Sequence, residues 1–366
     1  MTHSEAYGEP ARDPLIIGIG GGKGGVGKSM VSSNLAVQYA QAGLRVVIID
    51  LDFGAANLHT IFGLRQPPHS LGDYFGSPRS QLGDYLISTP VENLWLIPSS
   101  GFVPEMANLK HLQRVKLINH IKSLDADLVL LDLGAGSALN VVDFFSMCHA
   151  GIVVATPEPT SVVNAYEFLK NVIYRIFFRI LRNHKELLHL VKRSLRPGND
   201  LNISTVSQLI ETVEERCSWA ADMMREVCEE SSFHLIFNQA RKTSDLQLGT
   251  KLNQICSKYL HLQLNFSGMI FFNEEVPACV YRMSPISLVE PESVTSQTMK
   301  NIAYTTFQRV ARKLLDESTA DSFDTQLAHA GKLVNTDFKR NLLTQRRLQR
   351  SREKQYLHDV PADSFT

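Results

Sequence analysis

An excess of charge of either sign is missing from this 366-residue chain, in which 37 lysines and arginines balance 37 aspartates and glutamates. The molecule as a whole therefore sets up no field that gathers nucleic acid or anionic lipid, and any such binding has to come from a local patch. Cysteine is scarce: Cys148, Cys217, Cys228, Cys256 and Cys279 are odd in number and form no C-x-x-C pair. That argues against a disulfide framework and for reduced structural thiols. The twelve histidines show no metal-ligand spacing. A long uninterrupted apolar run is absent too, because "NVIYRIFFRILRNH" is broken by Arg175, Arg179 and Arg182, and a spanning helix needs about 20 apolar residues. The opening "MTHSEAYGEPARDP" is polar and carries acids, unlike a signal peptide. A cytoplasmic location is expected, and no internal repeat is visible.

What is present is an ordinary globular composition, 44% apolar and 20% charged, in a chain long enough for one large α/β core or two smaller ones. From residue 15, apolar runs alternate with helical patterns: "PLIIGIG", "RVVIID", "ADLVLLD", "AGIVVAT", "FHLIFN" and "LNFSGMI". Such alternation predicts an α/β fold, a doubly wound and mostly parallel sheet flanked by helices. Gly43 stands where a helix stop belongs, just before "LRVVIID". Ligands in this architecture sit at the carboxyl ends of the strands.

One such end carries a phosphate loop. Gly22, four intervening residues, Gly27, Lys28 and Ser29 fit G-x-x-x-x-G-K-[ST], preceded by a strand pattern and followed by the helical "MVSSNLAVQYAQAG". Glycines let backbone N–H groups turn inward around phosphate oxygens, and the helix N-terminus adds its partial positive charge. Lys28 supplies a full charge and Ser29 a hydroxyl for magnesium. Lys23 is a second lysine that an ordinary loop of this kind does not need. Asp50 and Asp52 end a strand in "VVIIDLDFGAANLH", and Asp132 ends another in "ADLVLLDLGAG", where Gly134 and Gly136 permit close backbone approach to a γ-phosphate. One acid, or its water, serves magnesium and another orients the attacking water, so that catalysis rests on positioning and charge stabilisation.

These segments resemble the MinD/ParA family of P-loop NTPases: "KGGVGKS" is similar to its deviant Walker A motif, and "DLDFGAANLH" and "DLGAG" to its two switch regions. The resemblance spans about residues 14–170 and 233–312. It implies a slow ATPase that binds ATP and Mg2+ and forms an ATP-sandwich homodimer, in which Lys23 reaches across to the partner's nucleotide. By the same resemblance the loop from Gly22 through Gly24, Gly25, Val26, Gly27, Lys28 and Ser29 to Met30, together with Gly134, binds phosphate. Ser29, Asp50 and Asp132 serve the metal, Asp52 positions the hydrolytic water, Asn57 lies near the dimerised active site, and Asn238 reads adenine.

Within the family, "TPEPTSVVNAYEFLK" and "GMIFFNEEVPACVYRMSPISLVEPESVTSQTMKNIA" resemble segments of the FlhG-like regulators of flagellar number and placement. Asn164 stands at the place of that motif's aspartate, and residues 1–14 carry no counterpart of the glutamine-leucine-arginine activation motif. The resemblance implies partners among a flagellar assembly GTPase, flagellar switch proteins or a transcription regulator, and a peripheral location at the inner face of the cell membrane. Two alternatives stay open. A ParA-like partition ATPase would bind DNA non-specifically and with strong salt dependence; an iron-sulphur carrier would need clustered cysteines, so no iron-sulphur cluster is expected. A tyrosine-kinase reading fails because the end of the chain holds Tyr356 but no tyrosine cluster.

The expected organisation is a flexible N-terminus over 1–14, an ATPase domain over 15–317 with a helical insertion at about 171–232, and a polar, basic tail over 318–366. The insertion reads as a closed hairpin, a basic helix over about 167–194 against an acidic one over about 204–230, with a lipid-binding helix as the other possibility. From Lys332 to Thr366 eight lysines and arginines face four acids, which implies at most a weak membrane-surface association.

Overall fold

The computed structural model describes residues 13–99, 109–196 and 198–314. The expectations for residues 1–12 and for the tail from 318 lie outside these. Among the described residues eight strands form a single sheet: β1 (Leu15–Gly20), β2 (Val46–Leu51), β3 (Ile87–Ser88), β4 (Leu94–Ile97), β5 (Leu128–Leu133), β6 (Ala150–Ala155), β7 (Phe233–Ala240) and β8 (Asn265–Phe271). Their order is β3-β4-β2-β5-β1-β6-β7-β8. Every pairing is parallel except β3 with β4. The helices are α1 (Lys28–Gln41), α2 (Leu58–Ile61), α3 (Leu71–Gly76), α4 (His111–Lys122), α5 (Leu139–Phe145), α6 (Pro159–Ile180), α7 (Lys185–Ser194), α8 (Val206–Glu214), α9 (Ser218–Glu230), α10 (Leu246–Leu260), α11 (Glu275–Tyr281), α12 (Ile286–Val289) and α13 (Val294–Leu314).

Strand alternation divides the core between the two faces. Val47, Ile49, Leu131 and Leu235 face a cluster shared with α3 to α10, whereas Val46, Ile48, Leu130 and Ile236 face one shared with α1, α2 and α13. The six expected strands are present. The edge pair β3 and β4 was not expected, because runs of two and four residues are too short to show a period. The chain winds from β1 to β2 in one direction and β6 extends the sheet in the other, so β1 marks the change of direction at which an open sheet presents its crevice. Gly43, with φ 95°, makes the left-handed turn that closes α1.

The insertion differs from the expected hairpin. Four helices, α6 to α9, replace two. The polar Arg182, Asn183 and His184 make an exposed turn between α6 and α7, and a second break falls at Glu215–Cys217. The foreseen seam of opposite charges is also replaced. Because α6 packs on α5, its arginines meet that helix first: Arg175 pairs with Asp143, and Arg179 donates to the Ser146 carbonyl at 3.0 Å. On the acidic side, Arg225 holds Glu214 and Asp222. The insertion is built into the molecule, since Leu187, Val191, Leu209, Val213 and Met224 belong to the same buried cluster as Leu235 and Phe237. No helix of the described residues is long and apolar enough to cross a membrane.

Candidate functional site

The phosphate loop leaves the end of β1 and turns into α1. Gly25 and Gly27 hold φ 77° and 87°, a left-handed pair that L side chains seldom adopt. Gly27 is also the cap of α1, with no side chain bonded over the helix start, so the first amides of a 14-residue helix are open to an anion. Space fixes other positions. A Cβ on Gly22 would collide with the Asn164 carbonyl, one on Gly21 would stand 2.6 Å from the Val154 carbonyl oxygen, and one on Gly27 would collide with the Asn238 amide. The loop is thus clamped between α6 and β7. Val26 is buried beneath it, Gly24 and Gly25 are exposed, and Met30 is half-buried against the α1 core.

Lys28 is buried at the first position of α1, and that burial lowers its pKa while Asp132 and Asp52 raise it. The two aspartates ending β2 and β5, Asp50 and Asp132, are register partners in adjacent strands. Burial, together with the other charge, pushes the Asp50 carboxyl up, and burial pushes Asp132 up against the opposing pull of Ser29 and Lys28. Their hydrogen bonding differs. Asp50 Oδ1 accepts from the Asp52 amide at 3.0 Å, and Oδ2 accepts from Asn57 and Leu58 at 3.1 and 3.3 Å. Asp50 therefore organises the loop that follows β2. Among the described residues Asp132 Oδ1 is buried with no hydrogen-bond partner, a costly state for an oxygen unless a cation or proton satisfies it. An unpartnered carboxylate oxygen near the Ser29 hydroxyl suits magnesium, which takes few protein ligands when phosphates and waters complete its octahedron.

The two loops beyond these strands meet at the phosphate loop. Asp52 Oδ1 accepts from the amides of Gly54 and Ala55 at 3.3 and 3.1 Å, and lies where a Cβ on Gly134 would touch it at 3.4 Å. The Gly136 amide donates to the Gly21 carbonyl at 3.0 Å. Asn57 is half-buried, and its side chain donates to the Ala55 carbonyl at 2.8 Å. Asn238, buried at the end of β7, donates to the Val26 carbonyl at 2.8 Å. Lys23 pairs with Glu158 at 3.0 Å, at the start of α6. All the residues singled out in the sequence thus gather at one end of the sheet. Glu158, Asn164 and Gln239 were missed as neighbours of the loop. Only Glu158 left a signal, as an acid just beyond a strand end.

The match to the CobQ/CobB/MinD/ParA nucleotide binding domain runs from residue 17 to residue 286. The chain belongs to this family. It is an ATPase of the MinD/ParA type. Antiactivator FleN of Pseudomonas aeruginosa is 34% identical over 291 residues, 79% of this chain and 84% of its own length. Flagellum site-determining protein YlxH of Helicobacter pylori is 30% identical over 160 residues, 42% of this chain and about half, 52%, of its own. Among solved structures, the septum site-determining protein MinD of Pyrococcus horikoshii, complexed with Mg-ADP, superposes with a TM-score of 0.55 at 17% identity. It covers 82% of this chain and 98% of its own. That likeness shows the shared fold, built here on an eight-stranded sheet among the described residues.

Proposed function

We propose that this MinD/ParA ATPase is an ATP-switched homodimer that sets the number or placement of flagella. The observation that carries the reading is the convergence of Lys28, the unpartnered Asp132 oxygen, Asp52 and Gly134 on one glycine loop, in a chain 34% identical to FleN over most of its length. The ATPase domain runs over about residues 15–317. Within it the amides of Gly22 to Met30 and the charge of Lys28 hold ATP phosphates, Ser29 and Asp132 hold Mg2+, and Asp50 keeps the neighbouring loop in place. Magnesium bound there neutralises phosphate charge. Asp52 orients the attacking water, Asn57 borders the dimerised site and Asn238 contacts adenine. Because the described residues around the loop offer positioned charge and no strong base, turnover is slow.

Dimerisation through this face is supported by Leu139 and Val163, which are 51% and 59% exposed at the starts of α5 and α6, beside the loop. Apolar residues left bare around a charged cleft suit a face that is covered part of the time. Lys23, on the same rim, reaches the nucleotide of a second copy. Partners of the dimer are a flagellar assembly GTPase, flagellar switch proteins or a transcription regulator, met in the cytoplasm or at the inner face of the membrane.

Sedimentation of wild type and Asp52→Ala with Mg-ATP tests the switch: the variant should bind ATP, hydrolyse it poorly and accumulate as dimer. A variant that stays monomeric where wild type pairs rules out the sandwich. Counting flagella in cells lacking the gene tests the biological assignment, and an unchanged number and position would reject it. Salt-sensitive DNA binding by the ATP form would favour a partition ATPase instead.

A further inference from the structure

β7 ends in an irregularity that no motif predicts. Phe237 faces Met269 of β8 and Ala240 faces Phe271, so β7 spends one residue more than its partner over this interval. The extra length falls at Asn238 and Gln239. Such a bulge re-aims side chains that a regular strand would send to opposite faces. Gln239 takes φ 60°, in the left-handed region that a glutamine enters only at a steric cost. It is also the exposed position of an otherwise buried strand. A strained, exposed residue at the carboxyl end of an interior strand calls for a compensating contact.

The contact is with the phosphate loop. Asn238 Nδ2 donates to the Val26 carbonyl at 2.8 Å, and Gln239 Nε2 donates to the preceding carbonyl, that of Gly25, at 3.3 Å. Two consecutive side-chain amides thus hold two consecutive carbonyls. In a trans peptide the carbonyl and the following N–H point in opposite directions. Drawing the carbonyls of Gly25 and Val26 toward β7 therefore turns the N–H groups of Val26 and Gly27 away from it, into the concave side of the loop. Glycine is needed at 27 for the same clasp, since a Cβ there would run into the Asn238 amide and stand 3.9 Å from Gln239 Nε2.

We infer that Gln239 is a positioning residue of the phosphate site: the bulge in β7 places its amide on the Gly25 carbonyl and so presets the Val26 N–H toward nucleotide phosphate. The inference rests on the ATP reading above and adds a residue to it. Asn238 does the same for the Gly27 N–H whatever its contact with the base.

Three substitutions in the full chain separate this role from that of a turn residue. Gln239→Met keeps the length and removes the amide. Gln239→Asn keeps the amide and tolerates the left-handed backbone, but is one methylene too short to reach. Gln239→Gly removes both strain and contact. Titration with a fluorescent ATP analogue and Mg2+ should show affinity about three- to tenfold weaker for all three, the scale of one lost hydrogen bond. KM should rise more than kcat falls. Without nucleotide, the thermal midpoint should stay level for Asn and rise for Gly, so stability and affinity move in opposite directions in Gln239→Gly. Wild-type affinity in all three variants, or a loss of affinity that follows a loss of midpoint, would overturn the inference alone. Failure of the wild type to bind the analogue would overturn the ATP reading with it.

Discussion

Lys23 Nζ lies 3.0 Å from Glu158 Oε2, so the lysine that sets this phosphate loop apart is held within its own subunit by the loop that opens α6. The two side chains are 40% and 59% exposed, and an exposed pair of this kind is worth at most about 1 kcal/mol. Such a contact is easily exchanged for another anion. The proposed reach of Lys23 to a second copy's nucleotide requires that exchange, which makes Glu158 a competitor for it.

Lys23→Ala should therefore bind ATP normally yet hydrolyse it poorly and dimerise weakly, while Glu158→Gln should dimerise at a lower protein concentration than wild type. Sedimentation velocity with Mg-ATP reads both. Full pairing by Lys23→Ala would end the trans assignment, and a Glu158→Gln variant no different from wild type would make the pair incidental.

Lys28 is expected to behave differently, because it is buried beside Asp132 and Asp52. Lys28→Ala should abolish nucleotide binding in calorimetry. Wild-type affinity in that variant would mean that phosphate does not sit at this loop.

The site was legible in the sequence because its parts are local. The loop's glycine spacing lies within eight residues, and Asp50 and Asp132 each close a strong apolar run, so a strand-end reading put both at the same edge of the sheet. What was not legible depends on contacts far apart in the chain. Lys23 meets Glu158 across 135 residues, and Gln239 meets Gly25 across 214. The insertion shows the limit of pattern reading most clearly. Its apolar and basic faces were visible, but the partner of the basic face was α5, packed alongside, and not the acidic helices that follow it in sequence.

The buried Asp132 carboxyl, one oxygen of which has no partner among the described residues, gives a pH signature. Burial raises its folded pKa from 3.8 to about 6. Without nucleotide, its protonation favours the folded state below about pH 4, and that stability is lost as pH rises through about 6. Asp132→Asn should match wild type in acid and exceed it at pH 8 by on the order of 1–2 kcal/mol, with Lys28 absorbing part of the difference. Mg-ATP should then raise the thermal midpoint of wild type far more than that of the variant. Equal midpoints across pH would mean that burial does not hold this carboxyl above its ordinary range.

The fusion of the insertion with the core makes it costly to cut. Exchange of residues 176–229 for a short Gly-Ser linker would strip Leu187, Leu209 and Met224 from a shared cluster. Leu209→Ala, a gentler probe, should cost about 2–5 kcal/mol in urea unfolding. A loss below 1 kcal/mol would mean that the insertion folds apart from the ATPase core.

Asp143 should be the more severe site, because it ties three helices with one buried carboxylate. Its side chain is 8% exposed and meets Arg175 of α6 and, at 3.1 Å, Arg114 of α4. Arg114 in turn donates to the Asn140 side chain of α5 at 3.0 Å. Truncation to Ala leaves two guanidinium groups packed without their anion, and uncompensated buried charge costs about 3–5 kcal/mol. Arg175→Met removes one partner and leaves Asp143 still paired with Arg114, so it should cost distinctly less. The double variant should lose less than the sum of the two, because once Asp143 is gone Arg175 is itself a liability. The same network anchors α5 directly behind the loop that carries Gly134 and Gly136, so Asp143→Ala should also weaken nucleotide binding at temperatures where it remains folded. Additive losses in urea unfolding, with unchanged nucleotide affinity, would reduce the cluster to two independent ion pairs.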